Sequence, residues 1–443
     1  MRIYFISFIF LVLVTGCSKD VLKEANEPQE QGNNQEPPIP EGPGAENGGS
    51  ETAKAGETTV FLENLVDLSP LLVNDAVNNR VYLMNKDSKI LHEWNLKTAI
   101  GNDCVLLDTG KLLALVEANS PDITFGGFAG NLQLVNPDNS IEWEYKISNE
   151  NMISHHDVEM LPNGNVIILV WMKKTGEEAI QEGFKFNYDI YPESVFELDP
   201  SKMEIVWEWH SWDHLIQEYD ESKSNFGLVS ENPGKININY NPNQSGDIMH
   251  ANGITYDSKN DLIYLSINFF SEIWVIDHST TKEEAKTSVG GNQNKGGDLV
   301  YRFGNPLAYN NTAAERLFYN QHYPNLQINE HNNTMLLFMN GNTLGQSTVY
   351  EFNLPDKPLL EPNKNNEPEI LWAFTHPDLY SQKVSGAEEL PNGNILITEG
   401  DYGAWEVTRN GDIVWKFKGD GFFWRIYPYL PDSEPLSHYN LNF

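Results

Sequence analysis

The chain has 443 residues, of which 40% are hydrophobic and 12% aromatic, so it is long enough to bury a large core. Its formal net charge of −34 at pH 7 disfavours nucleic acids and anionic headgroups as partners, because binding to phosphates requires clustered Lys and Arg. We therefore expect no nucleic-acid partner.

The first segment, "MRIYFISFIFLVLVTGC", has the features of an export signal. It carries one positive charge and a short apolar run, and it ends in Val14-Thr15-Gly16-Cys17. Small residues before a cysteine predict cleavage by a lipoprotein signal peptidase and lipidation of Cys17; an ordinary signal peptide is the alternative. Residues 1–16 thus predict an exported bacterial lipoprotein, anchored by its N-terminal lipid to the outer membrane or held at the periplasmic face of the cell envelope.

Residues 17–58 predict a flexible tether between this lipid and the folded domain. They are rich in Glu, Pro, Gly and Asn and contain too few apolar residues to offset the entropy lost on ordering. Lipidation of Cys17 leaves Cys104 as the other thiol, so no intramolecular disulfide is expected.

From residue 59 to residue 443 the sequence repeats one pattern of short strands. Six strands carry an aromatic residue after aliphatic ones, at Trp94, Trp143, Trp207, Tyr301, Trp372 and Trp415. Most follow a strand that ends in a polar turn, which predicts hairpins. Further hairpins precede them, as in "HDVEMLPNGNVIIL" and "GAEELPNGNILIT". Four-stranded units of this kind predict an all-β, six-bladed β-propeller with almost no helix.

Three long insertions interrupt the repeats, at residues 172–192, 210–247 and 278–297. We expect them to form lids over one mouth of the central channel.

Aligning the inner hairpins on their turns identifies a candidate site. The alignment brings five residues into register at the start of the innermost strands: Gly101, His155, His250, His322 and Val384. Innermost strands of a propeller line a shared channel, so the three histidines are expected to converge on its axis. The unit with Val384 is expected to be scaffold.

Strand alternation adds further residues to this site. Asn252 lies two residues after His250 and so faces the same side, and Asp157 has the same relation to His155. Asp157 is expected to orient an imidazole or to support a turn. His156, by the same alternation, is expected to point away from the channel.

Two chemistries fit three imidazoles and an amide. The histidines can bind zinc or copper, or one can act as a nucleophile while the others donate hydrogen bonds to a tetrahedral anion. The sequence has no HExxH, CxxC, GxSxG or Walker motif.

From about residue 60 to its C terminus, the chain resembles the bacterial arylsulfotransferases. The distinctive segments are "SHHDVEMLPNGN", "WEWHSWDHLIQEYD", "DIMHANGITYD", "FSEIWVIDHSTT", "GGDLVYRFGNPLAY" and "RLFYNQHYPNL". The resemblance implies a six-bladed propeller that transfers a sulfuryl group from an aryl sulfate ester to a phenolic acceptor. It also implies a ping-pong reaction through a sulfohistidine, without a metal and independent of the nucleotide sulfate donor PAPS.

The resemblance assigns roles to single residues. His322 of "NQHYP" would be the nucleophile, His250 and Asn252 of "MHAN" would hold sulfuryl oxygens, and His155 of "SHHD" would be the remaining channel histidine. Where the family has an arginine, this chain has Asn268 in "LSINFF", which keeps a hydrogen-bond donor but loses the cation.

Two arginines, Arg302 and Arg316, are candidate substitutes for this cation, although Arg302 is expected on an outer strand that ties blades together. His210 and Trp212 begin the longest insertion. They would either cap the channel, with Trp212 stacking on an aryl ring, or anchor the insertion.

Two other functions stay open at this point. One is a non-catalytic ligand-binding or scaffolding propeller, and the other is a metal-dependent hydrolase built on the three histidines. A monomer and a homodimer are both compatible with the sequence.

Overall fold

A computed structural model describes residues 53–328 and 333–441 of the chain. The predicted signal peptide, Cys17 and most of the predicted tether lie outside these residues. The first half of the described chain contains strands β1 (Gly56–Phe61), β2 (Leu71–Asp75), β3 (Arg80–Met84), β4 (Ile90–Trp94), β5 (Ile100–Leu106), β6 (Leu112–Glu117), β7 (Gly130–Val135), β8 (Ile141–Lys146), β9 (Ser148–Asn149), β10 (Met152–Met160), β11 (Val166–Met172), β12 (Glu193–Asp199) and β13 (Glu204–His210).

The second half contains β14 (Leu215–Ile216), β15 (Ile236–Asn237), β16 (Ala251–Asp257), β17 (Leu262–Ile267), β18 (Glu272–Asp277), β19 (Tyr301–Phe303), β20 (Gln321–Ile328), β21 (Asn333–Met339), β22 (Thr348–Asn353), β23 (Glu369–Phe374), β24 (Gly386–Glu389), β25 (Ile395–Glu399), β26 (Gly403–Val407), β27 (Ile413–Gly419) and β28 (Phe423–Pro428). Two short helices, α1 (Gly176–Gln181) and α2 (Glu434–Ser437), accompany them. Within the described residues, none of the helices is long and apolar enough to span a membrane.

These strands form the six blades that the sequence predicts. From the axis outward, blade 1 is β28-β2-β3-β4, blade 2 is β5-β6-β7-β8, and blade 3 is β10-β11-β12-β13 with β9 beside β10. Blade 4 is β16-β17-β18-β19, blade 5 is β20-β21-β22-β23, and blade 6 is β24-β25-β26-β27-β1. The strands β28, β5, β10, β16, β20 and β24 contact one another in a closed ring around the channel. The all-β, six-bladed fold is therefore confirmed.

The ring of blades is closed by both ends of the described chain. The first strand, β1, pairs with β27 and becomes the outermost strand of the last blade. The last strand, β28, pairs with β2 and becomes the innermost strand of the first blade. Neither pairing is among the hairpins that the sequence pattern predicts, because each joins segments more than 340 residues apart.

The repeated aromatic residues tie neighbouring blades together. The indole N–H of Trp207 in blade 3 donates to Thr280 after blade 4's third strand, 3.2 Å away. Trp372 donates in the same way to the Arg409 carbonyl in blade 6, and Trp415 donates to the Lys86 carbonyl in blade 1, both at 2.8 Å. The aliphatic sides of the blades pack against each other in clusters of buried residues between adjacent sheets. The aromatic repeat thus positions the blades around the axis.

A backbone irregularity recurs where the innermost strands begin. In blades 2 to 6 a residue with a left-handed backbone occurs there: Asn102, His156, His250, Tyr323 and Val384, with φ between 51° and 95°. Register shifts accompany it in β5, β10, β16 and β20. Such bulges break the simple alternation of side chains between the two faces of a strand. Side chains at this end of the channel, called the histidine end below, therefore cannot be assigned by alternation alone.

The insertions leave the blades at different ends, in contrast to the expectation of lids on one mouth. Residues 173–192 and 211–250 connect strands at the histidine end, and α1 in the first of them begins with a capping box between Thr175 and Glu178. Residues 278–300 leave β18 at Asp277, which pairs with Leu262 at the opposite end of the blade. The third insertion nevertheless contacts the second, because Lys235 binds Asp298 at 2.6 Å.

Candidate active site

Three histidines from three blades form a cluster at the histidine end of the channel. The ring of His156 lies edge-on to that of His250, with centroids 4.7 Å apart. The ring of Trp424 on β28 lies 5.7 Å from His156 and 6.1 Å from His322. The structure therefore joins His250 and His322, both predicted from sequence, through His156 and Trp424.

His322 is held as a neutral imidazole with a fixed tautomer. Its Nδ1 lies 2.6 Å from the Oδ1 of Asn340, an acceptor, so Nδ1 carries the proton and Nε2 keeps its lone pair. Nε2 accepts the backbone N–H of Val384 at 3.2 Å. Burial is the main cause that lowers the pKa of His322 to about 3. A neutral imidazole with an unprotonated Nε2 is the form required of a nucleophile.

The pKa of His250 is shifted in the opposite direction to that of His322. Burial disfavours its charged form, but the Asp247 carboxylate lies 2.5 Å from Nδ1 and raises the pKa of His250 above its ordinary value. Its ring stacks on Phe269, with centroids 4.6 Å apart. The site therefore pairs a neutral histidine with one that favours the imidazolium form, which suits a nucleophile and a proton donor.

His155 and His156 exchange the orientations that strand alternation predicts. His155 is fully buried behind the cluster, stacked on Trp171 at 3.7 Å and bonded through Nε2 to Glu193 at 3.0 Å. His156 is the member that reaches His250. The prediction for this pair is wrong because His156 has a left-handed backbone (φ 52°) inside the bulge between Ser154 and Val158.

A hydrogen bond nevertheless keeps His155 coupled to the cluster. The Nδ1 atoms of His155 and His156 are 2.9 Å apart, so one of the two rings donates to the other. Burial lowers the pKa of both imidazoles well below the ordinary value. His155 is thus a neutral partner that orients His156.

The two predicted asparagines hold the strand that carries His322. The amide of Asn252 donates to the carbonyl of Gln321 at 2.8 Å, and that of Asn268 donates to the same oxygen at 3.1 Å. The Oδ1 atoms accept from Ser266 and Asn320, respectively. Both side chains therefore hold the residue before His322, and their amides are engaged with protein atoms.

An ion pair lies below the cluster and includes a residue that the sequence patterns missed. Arg425 on β28 donates to both carboxylate oxygens of Asp157 at 2.8 Å, and its guanidinium lies 4.1 Å from the ring of Tyr323. Asp157 also accepts the N–H of Ile254, so it links the inner strands of blades 3, 4 and 1. The sequence did contain a signal for Arg425. Six blades need six inner strands, but the pattern predicts only five inner hairpins, and the segment "FFWRIYP" at the C terminus is left to form the sixth inner strand.

The same ion pair separates the histidine cluster from a cavity at the other end of the channel. This cavity has a volume of roughly 870 Å³ and is lined by the β16–β17 turn at Lys259 and by Asp103 and Glu159. Burial raises the pKa of Asp103 to about 7 and that of Glu159 to about 8. The far end of the channel is therefore acidic, unlike the histidine end.

The two candidate substitutes for the family arginine are committed elsewhere. Arg302 lies on the outermost strand of blade 4, as expected, but its partners are Glu272 of the same blade and the carbonyl of Lys235, so it anchors an insertion instead of tying blades together. Arg316 donates to the Phe318 carbonyl and to Ser271 and lies over the ring of Tyr319.

His210 and Trp212 lie away from the cluster. His210 ends β13, the outermost strand of blade 3, and its Nδ1 bonds Ser194 at 2.8 Å. Trp212 packs against the core and lies under Lys174. The structure therefore favours the alternative in which His210 and Trp212 anchor the insertion over the one in which they cap the channel.

A metal-dependent hydrolase would need several ligating side chains arranged around one ion. Within 53–328 and 333–441, no group of three or more His, Cys, Asp or Glu side chains is arranged to hold a metal ion. One nitrogen of each of His155, His250 and His322 is bonded to Glu193, Asp247 and Asn340, respectively.

The fold and the cluster define a six-bladed propeller with a candidate imidazole site at one end of its channel. The sequence model of the family described as Arylsulfotransferase (ASST) matches residues 139–416, more than half of the chain. The chain therefore belongs to the arylsulfotransferase family. This membership supports aryl sulfotransferase activity, with an aryl sulfate as donor and a phenol as acceptor.

Several solved structures are distantly similar to this chain. A protein of unknown function from Bacteroides caccae has a TM-score of 0.47 at 12% identity and covers 82% of this chain and 99% of that chain. The periplasmic gluconolactonase of Pseudomonas aeruginosa has 0.40 at 10%, covering 82% and 99%, and the Cps50 (Swd1) β-propeller domain of Myceliophteria thermophila has 0.36 at 8%, covering 82% and 90%. No significant match was found among curated proteins.

Proposed function

We propose that the protein transfers a sulfuryl group from an aryl sulfate to a phenolic acceptor in two half-reactions, with a sulfohistidine on His322 between them. The observation that supports this best is the pair of opposed histidines. His322 is neutral with its proton fixed on Nδ1, and His250 is biased towards the imidazolium form.

In the first half-reaction, Nε2 of His322 attacks sulfur, the N–S bond forms, and the bond from sulfur to the aryl oxygen breaks. The proton on His250 passes to the leaving phenolate, which leaves as a phenol. In the second, the phenol acceptor gives its proton to His250 while its oxygen attacks sulfur, and the N–S bond breaks. His250 is thereby recharged, and both histidines return to their starting forms.

The aromatic residues of the cluster fit an aryl substrate. Trp424 and Phe269 flank the histidines. Aromatic pairs contribute about 0.5–1.5 kcal/mol beyond the burial of their area. The alternative of a non-catalytic propeller has the same fold but does not require the opposed tuning of His250 and His322.

The test is release of the chromogenic phenol from an aryl sulfate in the presence of phenol. Wild-type protein is expected to release it, and His322→Ala is expected to abolish release, because the attacking nitrogen is lost. His210→Ala is a matched control that removes an imidazole outside the cluster and should keep the wild-type rate. Mass spectrometry of protein quenched without acceptor should find one added SO₃ on the peptide with His322. Turnover that survives in His322→Ala would refute the assignment.

A further inference from the structure

One segment that contacts His322 belongs to blade 6, which the sequence patterns treat as scaffold. Residues 375–385 connect β23 to β24 and reach His322. The N–H of Val384 donates to its Nε2, and the carbonyls of Ser381 and Val384 accept from Asn340, which binds its Nδ1. The expectation that blade 6 is only scaffold is therefore wrong.

The backbone of this segment is strained at the contact. Val384 and Ser385 have φ of 51° and 85°, and the left-handed region is rare for a β-branched residue. The hydroxyl of Ser381 holds the Lys383 carbonyl at 2.7 Å, and the N–H of Gly400 holds Ser385 at 3.0 Å. Strain that surrounding bonds maintain is typical of functional sites. Here it aims the Val384 N–H at the nucleophile.

The side chain next to this N–H is a lysine. Lys383 is exposed and, among the described residues, has no salt-bridge partner. Its charge acts on His250, since it is one of the groups that lower the pKa of that histidine against the effect of Asp247. Lys383 thus directly precedes the residue whose N–H contacts His322, and its charge acts on His250.

The other candidate cations already bind groups of the protein. Arg425 is bound to Asp157, Arg302 to Glu272, and Arg316 to the Phe318 carbonyl and a serine. Asn268, at the family's arginine position, is neutral and bonded to Gln321. A sulfuryl group nevertheless carries negative charge on its peripheral oxygens, which a positioned ammonium can stabilise.

We propose that Lys383 is the residue that binds the sulfuryl oxygens of the donor and of the sulfohistidine, in place of the missing arginine. The Val384 N–H becomes free to donate to a sulfuryl oxygen once Nε2 of His322 bonds to sulfur. The assignment rests on the proposed function. It specifies a donor with an anionic sulfate monoester, whose charge Lys383 meets at the histidine end.

The first test compares kcat/KM for an aryl sulfate among Lys383 variants. Lys383→Ala and Lys383→Met should lose about 10- to 100-fold, the range expected for a charged hydrogen bond. Lys383→Arg should stay within a few-fold of wild type, because it keeps the cation. Lys357→Ala, an exposed lysine between the third and fourth strands of blade 5, is the matched control and should be unchanged. Wild-type kcat/KM in Lys383→Ala would overturn the proposal.

The second test uses the pH profile, which a purely structural lysine would not move. The charged and titratable groups that act on His250 are Asp247, Glu193, His155, His156, His322 and Lys383. Removal of the lysine charge should raise the pKa of His250, so the alkaline limb of kcat/KM should move to higher pH in Lys383→Ala. An alkaline limb that stays at the wild-type pH would contradict the placement of Lys383 beside His250.

The third test separates this proposal from the proposed function. Sodium sulfate is titrated calorimetrically at low ionic strength into wild type, Lys383→Ala and Lys357→Ala, without any need for turnover. Sulfate should bind wild type and Lys357→Ala equally, and Lys383→Ala at least 10-fold more weakly. Equal affinity in all three proteins, or no binding by wild type, would overturn the role of Lys383. Failure of every aryl sulfate to react would instead overturn the proposed function alone.

Discussion

The proton on the buried Glu193 side chain determines which ring nitrogen of His156 is protonated. Burial raises the pKa of Glu193 well above its ordinary value. Its Oε1 accepts the N–H groups of Ala251 and Trp171, which leaves Oε2 to carry the proton and donate to His155. His155 then donates through Nδ1 to Nδ1 of His156. As a result, Nε2 of His156 carries a proton and can donate a hydrogen bond.

Glu193→Gln tests this direction of the proton chain. The amide keeps both an acceptor for Ala251 and Trp171 and a donor for His155, so kcat/KM should stay within about 3-fold of wild type. Glu193→Ala leaves buried polar groups unpaired, each at a cost of about 1–3 kcal/mol, and should lose at least 10-fold in kcat/KM. Assays with an aryl sulfate and urea unfolding measure the two effects. A loss in Glu193→Gln as large as in Glu193→Ala would mean that the ionised carboxylate is required.

At the scale of strands, the repeat pattern predicts what local sequence determines. The hairpins around "LPNGN" and the six aromatic strands follow from alternation and turn residues, and the structure contains them. The alignment also finds His250 and His322. It fails for His156 and Val384, which both have a left-handed backbone. Such a residue changes the face of the strand on which a side chain lies, and no repeat in the sequence predicts where it occurs.

The inner strand β28 shows the other limit of sequence reasoning. It has no hairpin partner nearby in the chain, since it pairs with β2 across the whole propeller. Trp424 and Arg425 therefore reach the channel only through a tertiary pairing. Local patterns cannot predict the ion pair that Arg425 forms with Asp157 in blade 3.

This ion pair should stabilise the inner ring of strands as a unit. Arg425 and Asp157 are 3% and 1% exposed, so Arg425→Met leaves a buried carboxylate without its cation, a change that costs about 3–5 kcal/mol. The double variant Asp157→Asn, Arg425→Met removes both charges and should recover part of that loss. Urea unfolding of the single and double variants measures the coupling. Equal stability of wild type and Arg425→Met would show that the pair contributes nothing to the fold.

At the scale of the whole molecule, the site creates a local charge opposite to that of the protein. The chain carries a net −34, yet the histidine end holds His250 biased towards its charged form, with Lys383 nearby. The acidic cavity lies beyond the Arg425–Asp157 pair. An anionic donor must therefore be bound by local cations of the site, because the net charge of the protein does not favour it. The few positive groups of the site that are not already paired thus determine how well the donor binds.

The buried acids also predict how the stability of the protein depends on pH. Burial raises the pKa of Asp103 to about 7 and those of Glu159 and Glu367 to about 8. Between pH 6.5 and 8 the folded protein therefore binds more protons than the unfolded chain, whose carboxyls ionise near pH 4. Stability must then fall as pH rises through this window. The buried histidines with lowered pKa values act in the opposite direction around and below pH 6.5, where the unfolded chain protonates, and this effect fades above pH 7.

We expect the free energy of unfolding in urea to decrease from pH 7 to pH 8 by about 1 kcal/mol per pH unit for each of these carboxyls that stays protonated in the fold. Glu159→Gln removes one titrating group while keeping an acceptor for the N–H of Tyr256, and its pH dependence should be flatter than that of wild type. Glu144→Gln, at an outer strand, is the control and should keep the wild-type slope. A free energy of unfolding that rises between pH 7 and pH 8 would show that these carboxyls are ionised in the folded protein, which would place compensating cations beside them.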